Sequence, residues 1–214
     1  ERLLDASLEQ DIDIIRRTKE TVSHEAFYSA ADALVQAKRV YIIGAGSSLA
    51  LATFLAHYMS LVFDAVQLIN ATSEAQILQQ IVHIGPGDAL IGISFPRYST
   101  RTLEAMNFAR ARGAQVIVYE PTLRYASDRG ASVIAITDST LSPLASCAQQ
   151  VLLAKSDMVS FVDSLVGPLA LINALIVTVA IKKKDEVAKT LCDLENIWDE
   201  YGVYEKVENK SDDL

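Results

Sequence analysis

Val40-Tyr41-Ile42-Ile43-Gly44-Ala45-Gly46-Ser47-Ser48 reads as a short apolar run, a glycine turn and a helix start, because residues 49–63 then carry apolar side chains at helical spacing. An apolar run without polar alternation is a strand buried on both faces, and such strands belong to parallel, helix-covered sheets. The same grammar repeats outward. Val66-Gln67-Leu68-Ile69 is a second strand candidate, followed by a helix over 74–84 and a Gly85-Pro86-Gly87-Asp88 turn. Residues 89–94 form a third, and 102–112 return to helix with Gly113 as the C-terminal cap. Residues 116–119, 133–137 and 151–154 are further strand candidates. The alternation predicts an α/β fold, a doubly wound parallel sheet flanked by N-terminal and C-terminal helices.

The flanks are helical. Residues 3–34 read as one helix with Asp11, Asp13, Arg16, Arg17, Lys19 and Glu20 outside and Leu4, Leu8, Ile12, Ile15 and Val22 inside. Residues 161–201 give an apolar helix and then a charged amphipathic one carrying Trp198. This divides the chain into a helical lead-in over 1–35, one ligand-binding domain over 36–200 and a polar tail over 201–214. The uncharged run 164–181 approaches the length of a membrane span. Gly167-Pro168, Asn173 and the globular patterning elsewhere argue instead for a helix buried twice, once against its own sheet and once against a partner subunit. A homodimer or tetramer through 161–182 is expected, and no membrane. Phe108-Ala109 and Arg112-Gly113-Ala114-Gln115-Val116-Ile117 recur as Tyr125-Ala126 and Arg129-Gly130-Ala131-Ser132-Val133-Ile134. The 115–131 segment is therefore either an added helix-and-strand unit or a local duplication.

The 214 residues hold 27 acidic and 19 basic side chains, a net charge of −8. That balance excludes a nucleic-acid grip by this chain alone, which would need clustered Lys and Arg. Cys147 and Cys192 lie far apart without metal-ligand spacing, as buried free thiols in a reducing compartment would. The chain starts at Glu1 without a signal-peptide pattern and reads as a domain excised from a longer cytoplasmic protein.

In an open parallel sheet, ligands bind beyond the carboxyl ends of the strands where the strand order reverses. Three polar segments fall at such ends. Gly44-Ala45-Gly46-Ser47-Ser48 offers backbone approach, helix N–H groups and two hydroxyls. It lacks the third glycine of a dinucleotide fingerprint, and no acid closes the second strand at Ile69-Asn70, so no dinucleotide is expected. Ser94-Phe95-Pro96-Arg97-Tyr98-Ser99-Thr100-Arg101-Thr102 sets four hydroxyls, a phenol and two guanidinium groups before a helix, the donors a phosphate monoester takes without a metal. Thr137-Asp138-Ser139-Thr140-Leu141-Ser142-Pro143-Leu144 reads mainly as a capped helix start, Ser142 the cap and Pro143 the first helical residue.

At these three segments, in this order, the sequence resembles the SIS (sugar isomerase) domain, and most of all the version in bacterial transcription regulators of the MurR/RpiR family. The resemblance runs from about Leu8 to the apolar helix. It implies a flavodoxin-like sheet, a phosphorylated sugar or amino-sugar ligand, self-association through helices and no cofactor. DNA would be reached only through an N-terminal helix-turn-helix domain that this chain does not contain. By position, Ser47 and Ser48 match residues that touch sugar hydroxyls, and Ser94 and Ser99 match the phosphate loop. The common loop reads Ser-x-Ser-Gly-x-Thr, whereas here Pro96 and Arg97 replace the second serine and the glycine, and Arg97 compensates by meeting the phosphate. The expected ligand-binding set is Ser47, Ser48, Ser94, Arg97, Tyr98, Ser99, Thr100 and Thr102. The insert around Tyr119-Glu120-Pro121 is a second departure.

Aldose-ketose isomerisation needs a base between adjacent carbons and a group to open the ring. His24, His57 and His83 all precede the phosphate loop and read as helix residues. Asp163, at the opening of the apolar helix, is near where such enzymes place a glutamate, but a lone carboxylate is not a catalytic set. The sequence thus favours a phosphosugar-sensing effector domain of a transcriptional regulator of carbohydrate metabolism, with no catalytic residue and no metal. The alternative is a phosphosugar isomerase.

Overall fold

The computed structural model describes residues 2–70, 73–111, 132–159 and 162–204. Two helices, α1 (Arg2–Thr21) and α2 (His24–Val35), precede β1 (Val40–Gly44), α3 (Ser48–Met59), β2 (Val66–Ile69), α4 (Glu74–Ile81), β3 (Ala89–Ile93) and α5 (Thr100–Ala111). Then come β4 (Ser132–Thr137), β5 (Gln150–Leu153), β6 (Met158–Val159), β7 (Val162–Asp163), α6 (Val166–Lys182) and α7 (Lys184–Tyr201). The five long strands form one parallel sheet in the order β2-β1-β3-β4-β5, and β6 pairs antiparallel with β7. The expected doubly wound α/β fold is the observed one.

Strand parity explains the unbroken apolar runs. Val40, Ile42, Ile91, Ile93, Ile134 and Ile136 face a core shared with α2, α3 and α6. Tyr41, Ile43, Leu90, Val133 and Ala135 face the opposite core, closed by Ile77 and Ile81 of α4 and Ala105, Met106 and Ala109 of α5. The central strands β1, β3 and β4 are therefore apolar on both sides, while the edge strand β2 exposes Gln67. Of the two similar sequence segments, the later one pairs with β3, in the register Ala89↔Ser132 to Ile93↔Ile136. Gly113 and the whole 115–131 segment, residues 116–119 included, lie outside the described residues.

The flanks correct the sequence reading. The expected single helix over 3–34 is broken at Val22-Ser23, where the Ser23 hydroxyl accepts the Ala26 N–H and caps α2. Leu4, Leu8, Ile12 and Ile15 are exposed rather than inside, and α1 buries only Ile14 and Thr18. The reason is a close crossing: Gly167 of α6 lies so near Ile14 and Thr18 that a Cβ there would sit 2.6 Å from the Thr18 hydroxyl and 3.0 Å from Ile14. α1, α2 and α3 together cover α6, so its own chain supplies much of the second surface assigned above to a partner. Val177 and Ile181 of α6 stay exposed. Among the described residues no single helix is long and apolar enough to cross a membrane. Cys147 is buried, but Cys192 is exposed, because α7 buries no residue. Ser142 accepts the Ala145 N–H as a cap would, yet only a 3-10 turn, Ala145–Cys147, follows in place of a helix.

The amino ends of β1 and β3 are pinned by an ion pair. Buried Asp88 accepts Arg39 Nε at 3.0 Å and Nη2 at 2.7 Å, and the Gly85 N–H at 3.0 Å. Asp88 in turn holds the Arg39 guanidinium above its ordinary range. Removing one partner of such a pair strands the other, a penalty reduced here because Arg39 is partly solvated. Asp88→Ala is expected to cost about 2 kcal/mol, seen as a lower urea midpoint with an unchanged slope; an unchanged midpoint would contradict this role.

Candidate functional site

The strand order reverses at β1, whose two neighbours are β2 and β3. The chain leaves β1 into α3 and leaves β3 into α5, helices that serve opposite cores, so the two turns diverge and a crevice opens between them. A cavity of about 280 Å³ occupies this crevice, lined by Ala45, Gly46, Ser47, Ser48, Ser94, Phe95, Pro96, Arg97, Ser99 and Asp163. The volume sits at the small end of ordinary ligand sites, roughly 300–1,000 Å³, and suits a compact polar metabolite.

The first wall is the β1–α3 turn. Gly44 is required by packing, since a Cβ there would lie 2.5 Å from the Ser48 carbonyl oxygen. Gly46 has φ +60 with nothing within 4 Å of a built Cβ, so this turn gives the ligand open backbone. Ser47 stands at the N-cap of α3 without capping it. Its hydroxyl donates instead to Asp163 Oδ2 at 3.1 Å.

The second wall is the β3–α5 loop. Ser94 is buried and its oxygen accepts the Ser99 N–H at 3.0 Å, while the Ser99 oxygen accepts the Thr102 N–H at 3.3 Å and caps α5. A hydroxyl that accepts from an N–H keeps its own proton free, so Ser94 and Ser99 can each donate into the cavity. Arg97 has φ 66, the left-handed region, where the related loop carries glycine. Holding an arginine there costs about 1 kcal/mol or more. Its guanidinium is exposed and makes no hydrogen bond or ion pair among the described residues. A left-handed backbone that carries a cation without a partner among the described residues to a cavity lined by hydroxyls offers the chemistry to receive an anion.

Of the eight residues expected from sequence, Ser47, Ser48, Ser94, Arg97 and Ser99 come together around the cavity. Tyr98, Thr100 and Thr102 are not among its lining residues. Tyr98 donates to Asp138 Oδ1 at 2.8 Å, tying the β3–α5 loop to the end of β4. Thr100 is exposed at the first turn of α5, and Thr102 is wholly buried with no partner for its hydroxyl among the described residues. Asp163 was weighed in the sequence only as a catalytic carboxylate; its place beside Ser47 had no sequence signal beyond a polar residue opening an apolar helix. His24, His57 and His83 are exposed, and none lines the cavity. Arg101 turns to a neighbouring cavity of about 170 Å³ on the far side of the glycine turn, with Asn70.

Burial, then the bond to Asp138, pushes the Tyr98 phenol up to about 12. The folded state thus holds the neutral phenol, so the stability Tyr98 contributes is complete below the ordinary value of about 10 and is lost as pH rises from there towards about 12. An ultraviolet titration of the tyrosines is expected to show late-ionising groups, since burial also raises Tyr41, and the one at about 12 is expected to disappear in Tyr98→Phe. An unchanged titration in that variant would contradict the Tyr98–Asp138 clasp.

The sequence pattern of the SIS domain family matches residues 33–118 and 120–178. No curated sequence is similar enough to count as a relative. Among solved structures, the sugar isomerase domain of the RpiR transcription factor from Sphaerobacter thermophilus is similar with a TM-score of 0.79 and 25% identity, over 92% of this chain and 99% of that one. The Vibrio vulnificus NanR protein complexed with ManNAc-6P is similar at 0.72 and 18%, over 91% and 69%. Phosphoheptose isomerase GmhA from Neisseria gonorrhoeae is similar at 0.64 and 18%, over 83% and 97%. The last two likenesses bear on the fold alone.

Proposed function

The chain belongs to the SIS domain family, and from that membership we propose that it is the phosphosugar-sensing effector domain of a bacterial transcriptional regulator. The observation that supports this most is the meeting of Ser47, Ser48, Ser94, Arg97, Ser99 and Asp163 around one cavity at the β1/β3 reversal. Ser94, Ser99 and Arg97 form the phosphate end, where two hydroxyl protons and a guanidinium meet a dianion. Ser47, Ser48 and Asp163 form the sugar end. Asp163 accepts hydrogen bonds and repels a second phosphate, so the ligand lies with its phosphate at Arg97 and its hydroxyls or amide at Asp163.

The likeness to the Sphaerobacter RpiR domain, over nearly all of both chains, supports the regulatory role, and the ManNAc-6P named with the Vibrio NanR structure of the same fold makes that sugar phosphate the first ligand to test. In this reading the protein is cytoplasmic and DNA is bound by a separate helix-turn-helix domain. Two copies associate through the helices, using the exposed Val177 and Ile181 of α6 together with Leu4, Leu8, Ile12 and Ile15 of α1. Isomerisation is the second reading, and one observation favours it: a carboxylate, Asp163, lies inside the cavity. Against it, no histidine and no second carboxylate is among the described residues lining that cavity, where ring opening calls for a second acid or base.

Thermal shift against ManNAc-6P, glucose 6-phosphate, fructose 6-phosphate and ribose 5-phosphate, with the sugar recovered and analysed by NMR, tests the reading. One of these is expected to stabilise the fold by about 2.7 kcal/mol at a hundredfold excess over Kd and to be recovered unchanged. Turnover abolished in Asp163→Ala would replace sensing with catalysis. Ser94→Ala with Ser99→Ala is expected to weaken binding roughly a hundredfold or more, since each removes a bond of about 1.5–3 kcal/mol to a charged group. Arg97→Gly separates strain from binding: relief of the left-handed arginine raises stability by up to about 1 kcal/mol while affinity falls. Equal affinity in Arg97→Gly would remove Arg97 from the phosphate end.

A further inference from the structure

α1 is bonded to the segment that carries Asp163 into the cavity. At the segment's entry, the Lys155 N–H donates to the Thr18 hydroxyl at 3.0 Å, and Arg17 pairs with Asp157. At its exit, the Ser164 hydroxyl donates to Asp11 Oδ1 at 3.0 Å. Asp11 and Thr18 are two helical turns apart on one face of α1, with Ile14 between them against Gly167. The segment is thus held at both roots by a single helix. Between the roots β6 pairs with β7, placing Asp163 opposite Met158.

Asp163 and Ser164 are consecutive. Asp163 accepts Ser47 in the cavity, and Ser164, buried, bonds α1. A single peptide unit therefore joins a cavity carboxylate to a helix on the outside of the domain. α1 buries Ile14 and Thr18 against α6, and its polar bonds at Asp11 and Thr18 go to the two roots of this segment, so a shift of Asp163 reaches it directly.

We infer that Asp11, Arg17 and Thr18 are positioning residues for the cavity: through the 155–164 segment they set Asp163, and a change at the Ser47–Asp163 contact is felt in α1. The link is reciprocal, as any coupling between two sites must be. Its geometry stands without any ligand, while its use in reading a sugar rests on the proposed function.

Hydrogen exchange of the free chain, followed by mass spectrometry, tests the link alone. Asp163→Ala and Ser47→Ala are expected to raise exchange in peptides covering 11–21 by about threefold to tenfold, the range of couplings carried through packed contacts. Ser99→Ala also removes a cavity hydroxyl, but one bonded only within its own loop, and is expected to leave those peptides unchanged. Equal exchange in all three variants would overturn the inference. In the reverse direction, Asp11→Ala and Thr18→Val are expected to weaken ManNAc-6P binding by about threefold to tenfold and to leave inorganic phosphate, held by Ser94, Arg97 and Ser99, unaffected. In an Asp163→Ala background Thr18→Val is expected to change ManNAc-6P affinity no further, although it still loosens α1. A purely structural role would weaken both probes alike in either background and would contradict the assignment. Absence of sugar-phosphate binding in the parent chain would count against the proposed function, and the exchange experiment would still decide the link.

Discussion

Everything in this molecule depends on β1 being hydrogen-bonded on both edges. Val40 pairs with Val66 on one side and Ala89 on the other, so the strand that opens the sheet ends up inside it. A chain that starts in the middle must turn outward twice, once to each side, and the two turns cannot fill the space between them. At the amino ends the gap is closed by Arg39 and Asp88. At the carboxyl ends it stays open. Stability and binding are thereby assigned to opposite ends of the same two strands.

What fills the open end follows from the chemistry of the two turns. The β1 turn supplies bare backbone at Gly46 and a serine that does not cap its helix. The β3 loop supplies serines whose oxygens are engaged by N–H groups and whose protons are left to donate, and a strained arginine with no partner among the described residues. Asp163 brings the one acceptor-only group among the lining residues, and it comes from a segment 116 positions from Ser47. A cavity of donors with one carboxylate among its lining residues has a polarity, and the proposed orientation of a sugar phosphate rests on it.

The sheet was legible in the sequence because both faces of the central strands are apolar, and Val-Ile runs have no other economical explanation in a chain with this spacing of turns. Five of the site residues were legible because hydroxyls and glycines cluster at strand ends. Other features were hidden for physical reasons. The apolar periodicity of α1 continues into α2, which masked the Ser23 cap. The exposure of Leu4, Leu8, Ile12 and Ile15 depends on a crossing at Gly167, a contact with no local signature. Arg97 in a left-handed conformation runs against residue preference, so only the loop around it reveals it. Thr102 resembles its hydroxyl neighbours in sequence yet points into the core. Cys192 is exposed because α7 buries nothing, although cysteine by type is usually inside.

The central claim is that one cavity at the β1/β3 reversal takes a sugar phosphate in a fixed orientation. A crystal structure of this chain with the sugar phosphate that shifts its melting most tests it directly. The account predicts the phosphate against Ser94, Arg97 and Ser99 and a ring hydroxyl or amide against Asp163. A sugar phosphate seated elsewhere, or reversed with its phosphate at Asp163, would contradict it.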